Sequence, residues 1–227
     1  YVDVREWCME NDISLGQFDR WLYGALRKPD TPARVKPKEP WPYRVVAGIN
    51  RVLEILLRQG HSVTVTLLGV PYQIAWPEYT ITSQVENAFA LKNLPCQTFL
   101  LRFLIEGRAA APSAAYKTFR EMPWGEMYIQ PYTGRVLTRA AFTFGTRLPA
   151  FCKAMDASDA QKLTFGDASY ELEVLPNYKV RLIVWEGDDE FPPNAQILFS
   201  ANFPVSFSAE DRTVVGDVVI SDIKRKM

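Results

Sequence analysis

The stretch VWEGDDEFPPNAQILF, Val184 to Phe199, sets four carboxylates (Glu186, Asp188, Asp189 and Glu190) between two apolar runs, with Pro192 and Pro193 just behind them. Such a cluster suggests a hard cation, Ca²⁺ or Mg²⁺, which needs several oxygens converging on one point. Neighbouring side chains in extended backbone point apart, so about two or three of the four can converge, and the ligand spacing of an EF-hand is missing. Work as a paired general acid and base would require a fixed separation across a cleft. The same residues also read as a solvated turn between two strands. Gly187 permits a tight bend, and the double proline ends ladder bonding.

A second group lies upstream. Arg135 and Arg139 are four apart on an expected helix and so share a face, with Arg120 and Arg147 close in sequence. Trp124, Tyr128, Tyr132, Phe142 and Phe144 are interleaved with them. A guanidinium both stacks on rings and forks onto carboxylate or phosphate. The segment therefore fits a flat anionic ligand, a tetrapyrrole-like cofactor for instance, or a structural ion network. The expectation that joins the two groups is electrostatic: guanidinium groups between Arg120 and Arg147 hold the carboxylates that follow Trp185. The expected ligand-binding set is Arg120, Trp124, Tyr128, Tyr132, Arg135, Arg139, Glu186, Asp188, Asp189 and Glu190, with no dedicated metal ligands.

Charge distribution supports such pairing. The 227-residue chain has 26 basic and 26 acidic residues, yet residues 101–153 hold eight Lys/Arg against three Glu, a net of +5. Residues 154–222 hold four against thirteen, a net of −9. One half can neutralise the other on folding. The three cysteines, Cys8, Cys96 and Cys152, form no CxxC pair, which argues against a zinc or iron–sulfur site made within this chain. His61 is the single histidine, and no GxSxG, GxGxxG or GxxxxGK[ST] motif accompanies it. No apolar run approaches the roughly 20 residues of a membrane span, and no signal peptide is evident, so a cytoplasmic location is expected.

The elements that must position these groups follow from periodicity. Residues 1–28 read as a helical arm with Ser14 as an N-cap. Its WCMENDISLGQFDRWLYGALRK resembles a short helix-turn-helix, although its acids offset its bases and leave no phosphate-facing stripe. Residues 29–42 carry five prolines and read as a linker. The core, 43–227, opens with a helix over 43–58, followed by a hairpin turning near Gly69. A helix introduced by Pro95 closes at Gly107. A strand at YKTFRE precedes mostly helical residues 131–155, broken near Gly145. Strands at ASYELEVL, KVRLIVW and AQILFSANF lead to a last helix capped by Ser208, its inner face formed by Val214, Val215, Val218 and Val219. Strands and helices mixed irregularly give an α+β fold, a single mixed core of antiparallel strands and packed helices.

LPCQTFLLRFLIEG, YKTFREMPWGEMYIQPY, FGDASYELEVLPNYKVRLIVWEGDDEFPPNAQILFSANF and SAEDRTVVGDVV resemble successive signatures of a prokaryotic domain-of-unknown-function family, DUF3786, known mostly from anaerobic bacteria and archaea. The similarity spans about residues 43–223. It implies that the acidic turn is a family hallmark, and it brings no established reaction. Two departures lie near that block in sequence. Ser200 stands where an aspartate is usual, and SFSAEDR stands where the usual form is closer to YLPTEDL.

These observations lead to a non-catalytic binding or accessory protein that docks on another protein through residues 1–42 and holds an anionic ligand in an arginine/aromatic pocket. An enzyme or cofactor carrier using the same cleft and Glu186, Asp188 and Glu190 is the second reading, with a tetrapyrrole-like cofactor or a hard metal. DNA binding through the N-terminal arm is the third.

Overall fold

The structure, a computed structural model, describes residues 62–75, 80–107 and 110–227. The expected N-terminal arm, the linker and the helix over 43–58 lie outside the described residues.

SVTVTL and VPYQIA form β1 (Ser62–Leu67) and β2 (Val70–Ala75), paired antiparallel in the register Leu67 to Val70. The two-residue loop places Leu68 and Gly69 at φ 49° and 78°. Positive φ at both positions suits the twist of a tight hairpin, and glycine adopts it without a steric penalty. A short β3 (Thr80–Thr82) pairs with β2 and completes a three-stranded sheet.

Helix α1 (Leu94–Glu106) has its N-cap at Asn93, whose side-chain oxygen accepts the backbone N–H of Cys96 at 2.9 Å; Gly107 closes it. β4 is confined to Tyr116–Thr118. α2 (Gly125–Tyr132) continues through two π-helical stretches, Thr133–Thr138 and Ala141–Gly145. Pro131 inside it has no N–H to donate to the preceding turn, and the wider turns begin just after it. α3 (Leu148–Asp156) follows the expected break.

β5 (Gln161–Lys162), β6 (Ala168–Leu175), β7 (Tyr178–Trp185) and β8 (Asn194–Ser200) join β4 in a five-stranded antiparallel sheet of order β4-β8-β7-β6-β5. Alternation turns Tyr170, Val180, Leu182, Val184, Ile197 and Phe199 to one buried face. α2 and α3 cover this sheet, and both sheets contribute to one hydrophobic core. The fold is therefore α+β, as expected.

The last helix, α4 (Ala209–Lys226), begins with a reciprocal capping box: the Ser208 side chain accepts the Asp211 N–H, and Asp211 accepts the Ser208 N–H. Eleven of its eighteen residues are buried, so it is enclosed on more than one side by α1, α2 and α3. Val215, Val218 and Val219 face inward as expected, and Val214 is only half-buried.

Candidate functional site

α4 is rich in charge for a buried helix, and each buried or nearly buried acid has a cationic partner. Asp211 meets Arg102 at 3.1 Å, and Asp222 meets Arg225 at 3.1 Å and Lys226 at 2.6 Å. Asp217 takes two guanidinium groups from α2. Arg139 Nη1 donates to Asp217 Oδ1 at 3.1 Å and its Nη2 to Ser221 Oγ at 2.7 Å, while Arg135 Nε pairs with Asp217 Oδ2. Arg120 instead binds Glu126 on the first turn of α2, at 2.9 Å. The two arginines expected on one face do converge, but on α4.

Among the described residues no ion pair links Arg120, Arg135, Arg139 or Arg147 to Glu186, Asp188, Asp189 or Glu190, so the expected electrostatic link is corrected. The physical reason is proximity: α2 lies along α4, and Asp217 sits within reach of both guanidinium groups. The acidic connection is nevertheless close to α2 at its base. A β-carbon added at Gly145 would fall 2.6 Å from Pro193 Cβ and 2.7 Å from the Trp185 carbonyl oxygen.

Within the connection, the four carboxylates differ in role. Asp188 is structural: its Oδ1 accepts the N–H groups of Glu190 at 2.8 Å and Phe191 at 2.7 Å, fixing the turn. Asp167 accepts the Glu186 N–H at 2.8 Å. Glu186, Asp189 and Glu190 project from the turn without an ion-pair partner among the described residues. In the same set, no three His, Cys, Asp or Glu side chains converge as metal ligands.

The aromatic members separate as well. Tyr132 is fully buried and stacks on Phe119, with ring centroids 3.9 Å apart and planes 7° apart. Trp124 and Tyr128 are exposed, together with Met127. Trp124 is held at φ 63° and ψ 3°, a left-handed conformation that costs a bulky residue about 1–2 kcal/mol. Three features enforce it. Gly125 has no side chain, and a β-carbon there would collide with the Phe119 carbonyl oxygen. The Gly125 N–H closes a turn onto the Met122 carbonyl at 2.9 Å. Beneath, the buried Arg212 donates from Nη2 to the Pro123 carbonyl at 2.5 Å and from Nη1 to the Phe207 carbonyl at 2.8 Å.

Arg212 was not among the expected site residues. It is 1% exposed, its guanidinium carbon lies 5.4 Å from the Phe119 ring centre, and burial lowers its pKa to about 10. Its Nε and the Tyr132 hydroxyl have no hydrogen-bond partner among the described residues. Burial also raises the Tyr132 pKa, although the positive charge of Arg212 opposes that rise. The sequence EDRTVV looks like an ordinary solvated first turn, so no local signal marks this arginine as interior.

Two further features lie apart from the expected residues. On the opposite face of the five-stranded sheet, Glu171 receives Lys179 at 3.0 Å and Arg181 at 2.9 Å, with the Arg181 guanidinium 3.7 Å from the Tyr116 ring centre. Burial disfavours the Glu171 anion, but hydrogen bonds from Arg181, Lys179 and Tyr116 outweigh it and hold the carboxyl below its usual range. A groove of about 970 Å³ runs between the β1–β2 hairpin, the edge of β6 and the ends of α3 and α4. Lys153, Asp159, Glu173 and Lys226 line it, with no preference of sign.

The fold and its surface define a small α+β domain whose most strongly built feature is a fixed, outward-facing aromatic turn. The chain belongs to the DUF3786 family: the family model, a domain of unknown function, matches residues 48–222. No curated protein and no solved structure matches the chain. Among the described residues no helix is long and apolar enough to cross a membrane.

Proposed function

We propose that this chain is a non-catalytic accessory protein that docks a partner protein through the surface carrying Trp124, Met127 and Tyr128. The observation that carries the reading is Trp124, 68% exposed in a left-handed backbone conformation and held there from within by Arg212. A fold that retains strain while presenting an indole to solvent uses that geometry outside its own core. Trp, Tyr, Met and Arg are the residue types enriched where protein partners meet. Met127, 73% exposed, provides an adaptable neighbour. The neighbouring charges Arg120 and Glu126 pair with each other at 2.9 Å, so the margin has no dominant sign. The fitting partner offers an apolar cleft for the indole.

The anionic-ligand pocket and the cofactor-carrier reading gain less support, because Arg135 and Arg139 engage α4, Arg120 engages Glu126, and Tyr132 is interior. Trp124→Asn tests the proposal, since asparagine accepts left-handed backbone while removing the indole. Wild-type protein immobilised on a resin retains a partner from lysate of the source cells; the purified partner is then titrated calorimetrically against both forms. A central tryptophan anchor predicts at least ~30-fold weaker binding by the variant, at unchanged circular dichroism. A partner bound equally well by both forms overturns the proposal, and so does the absence of any retained partner.

A further inference from the structure

A second apolar surface lies at the other end of α2. Trp185 and Phe191 are exposed at the acidic connection, Phe191 to 66%. Phe165 joins them through the next loop, where a β-carbon added at Gly166 would stand 3.2 Å from the Trp185 ring. Exposed Phe142 belongs to the other, α2-covered side of the sheet, where Gly145 abuts Pro193 and the Trp185 carbonyl. Three large aromatic residues, Trp185, Phe191 and Phe165, thus lie at one end of the five-stranded sheet. Isolated exposed aromatics are ordinary, but a group of three drawn from two adjoining loops forms a patch.

Charge on the Trp185 side of the sheet end has one sign, whereas Arg147 lies on the α2 side beside Phe142. Asp167, Glu186, Asp188, Asp189 and Glu190 frame the patch, and among the described residues none of the five has an ion-pair partner. Asp188 and Asp167 fix the loop through backbone N–H groups, so the rim is held in shape rather than collapsed onto a cation. The complement of aromatic faces within an anionic rim is a guanidinium, which stacks on a ring while forking onto a carboxylate. Lysine, a hydrated point charge, uses only the second contact.

We infer that the surface made by Trp185, Phe191 and Phe165 docks an arginine-bearing segment of a second protein, with Glu186, Asp189 and Glu190 receiving the guanidinium groups. The two docking surfaces lie at opposite ends of a 21-residue helix, about 30 Å apart, so both can be occupied together. This inference stands independently of the Trp124 surface.

The test uses the full chain and a fluorescein-labelled twelve-residue peptide carrying four arginines among proline and leucine, with lysine and glutamate versions as controls. Fluorescence anisotropy is expected to show saturable binding of the arginine peptide at 50 mM salt. At least tenfold weaker binding is expected for the lysine peptide, for Phe191→Ser, and for the Glu186→Gln/Asp189→Asn/Glu190→Gln triple variant. Asp188 is kept because it fixes the turn. Trp124→Asn is expected to bind the peptide unchanged, which separates this surface from the first. Equal binding of lysine and arginine peptides, or retained binding by Phe191→Ser, reduces the effect to diffuse charge attraction and overturns the inference. Absence of saturable binding to folded wild-type protein overturns it too.

Discussion

Gly216 on α4 faces Val136 on the first π-helical stretch of α2, and that contact sets how closely the two helices approach. A β-carbon at Gly216 would lie 2.5 Å and 2.9 Å from the two γ-carbons of Val136, closer than van der Waals contact allows. Val136 is fully buried, and its branched side chain has no flexible end that can move aside. Gly216→Ala therefore gains about 1 kcal/mol of helix propensity but overpacks the interface at a cost of about 1–3 kcal/mol. The net expectation is a loss of about 1 kcal/mol. Val136→Ala removes two buried methyl-sized groups and loses about 2 kcal/mol. In the double variant the new methyl meets only the remaining β-carbon of position 136, at 3.3 Å, a tight contact that a small shift relieves, so most of the propensity gain is recovered. Gly216→Ala is thus expected to destabilise the wild type and to stabilise the Val136→Ala background, a change of sign with a coupling of about 2 kcal/mol. Urea unfolding of the four proteins reads it directly from the midpoints. Additive effects would refute the close approach of α2 and α4, and with it the route by which Arg135 and Arg139 reach Asp217.

Two other outcomes follow from buried polar groups. Tyr132→Phe keeps the stack on Phe119 and removes a buried hydroxyl that has no partner among the described residues; such a group costs about 1–3 kcal/mol, so the variant is expected to unfold about 2–12 °C higher by calorimetry. A drop of similar size would mean that the hydroxyl is satisfied. Folding lowers the pKa of Glu171 below its ordinary value of 4.5, so its ion pairs contribute fully above that pH and fade as pH falls through the lowered value. The urea midpoint of wild type should therefore fall more steeply below pH 4.5 than that of Glu171→Gln, and parallel curves would remove Glu171 from the acid response.

Elements whose periodicity depends on one neighbouring surface were legible in the sequence. The hairpin at Gly69, the strands of residues 168–200, the helix after Asn93 and the Ser208 cap all carry local signals, either alternation or a capping side chain. What escaped depended on distant contacts. The helix of residues 125–145 starts six residues before the expected 131, because its first turn is fixed by Trp124 and Gly125 rather than by a capping side chain. β4 is only three residues long, since Phe119 leaves the strand to enter the core. Asp217 was counted within an acidic half of the chain, but nothing in its neighbours marked it as the partner of Arg135 and Arg139.

The pairing of Arg135 and Arg139 with α4 also explains why the acidic turn is left exposed. The basic segment, residues 101–153, does meet the acidic half of the chain, as the charge asymmetry suggested, but it meets it at α4. Arg102, Arg135 and Arg139 all bind α4 carboxylates. A carboxylate enclosed between helices loses hydration and gains much from a guanidinium, whereas one at a strand turn remains hydrated and gains little. Competition for a limited set of arginines therefore favours Asp211 and Asp217 over Glu186, Asp189 and Glu190. The turn keeps its negative charge as a consequence, next to aromatic rings that the core does not cover. Internal neutralisation and an outward anionic surface are two results of the same allocation of charge. Asp217→Asn should release Arg135 while Ser221 still holds Arg139, lowering the urea midpoint and leaving the acidic turn unpaired.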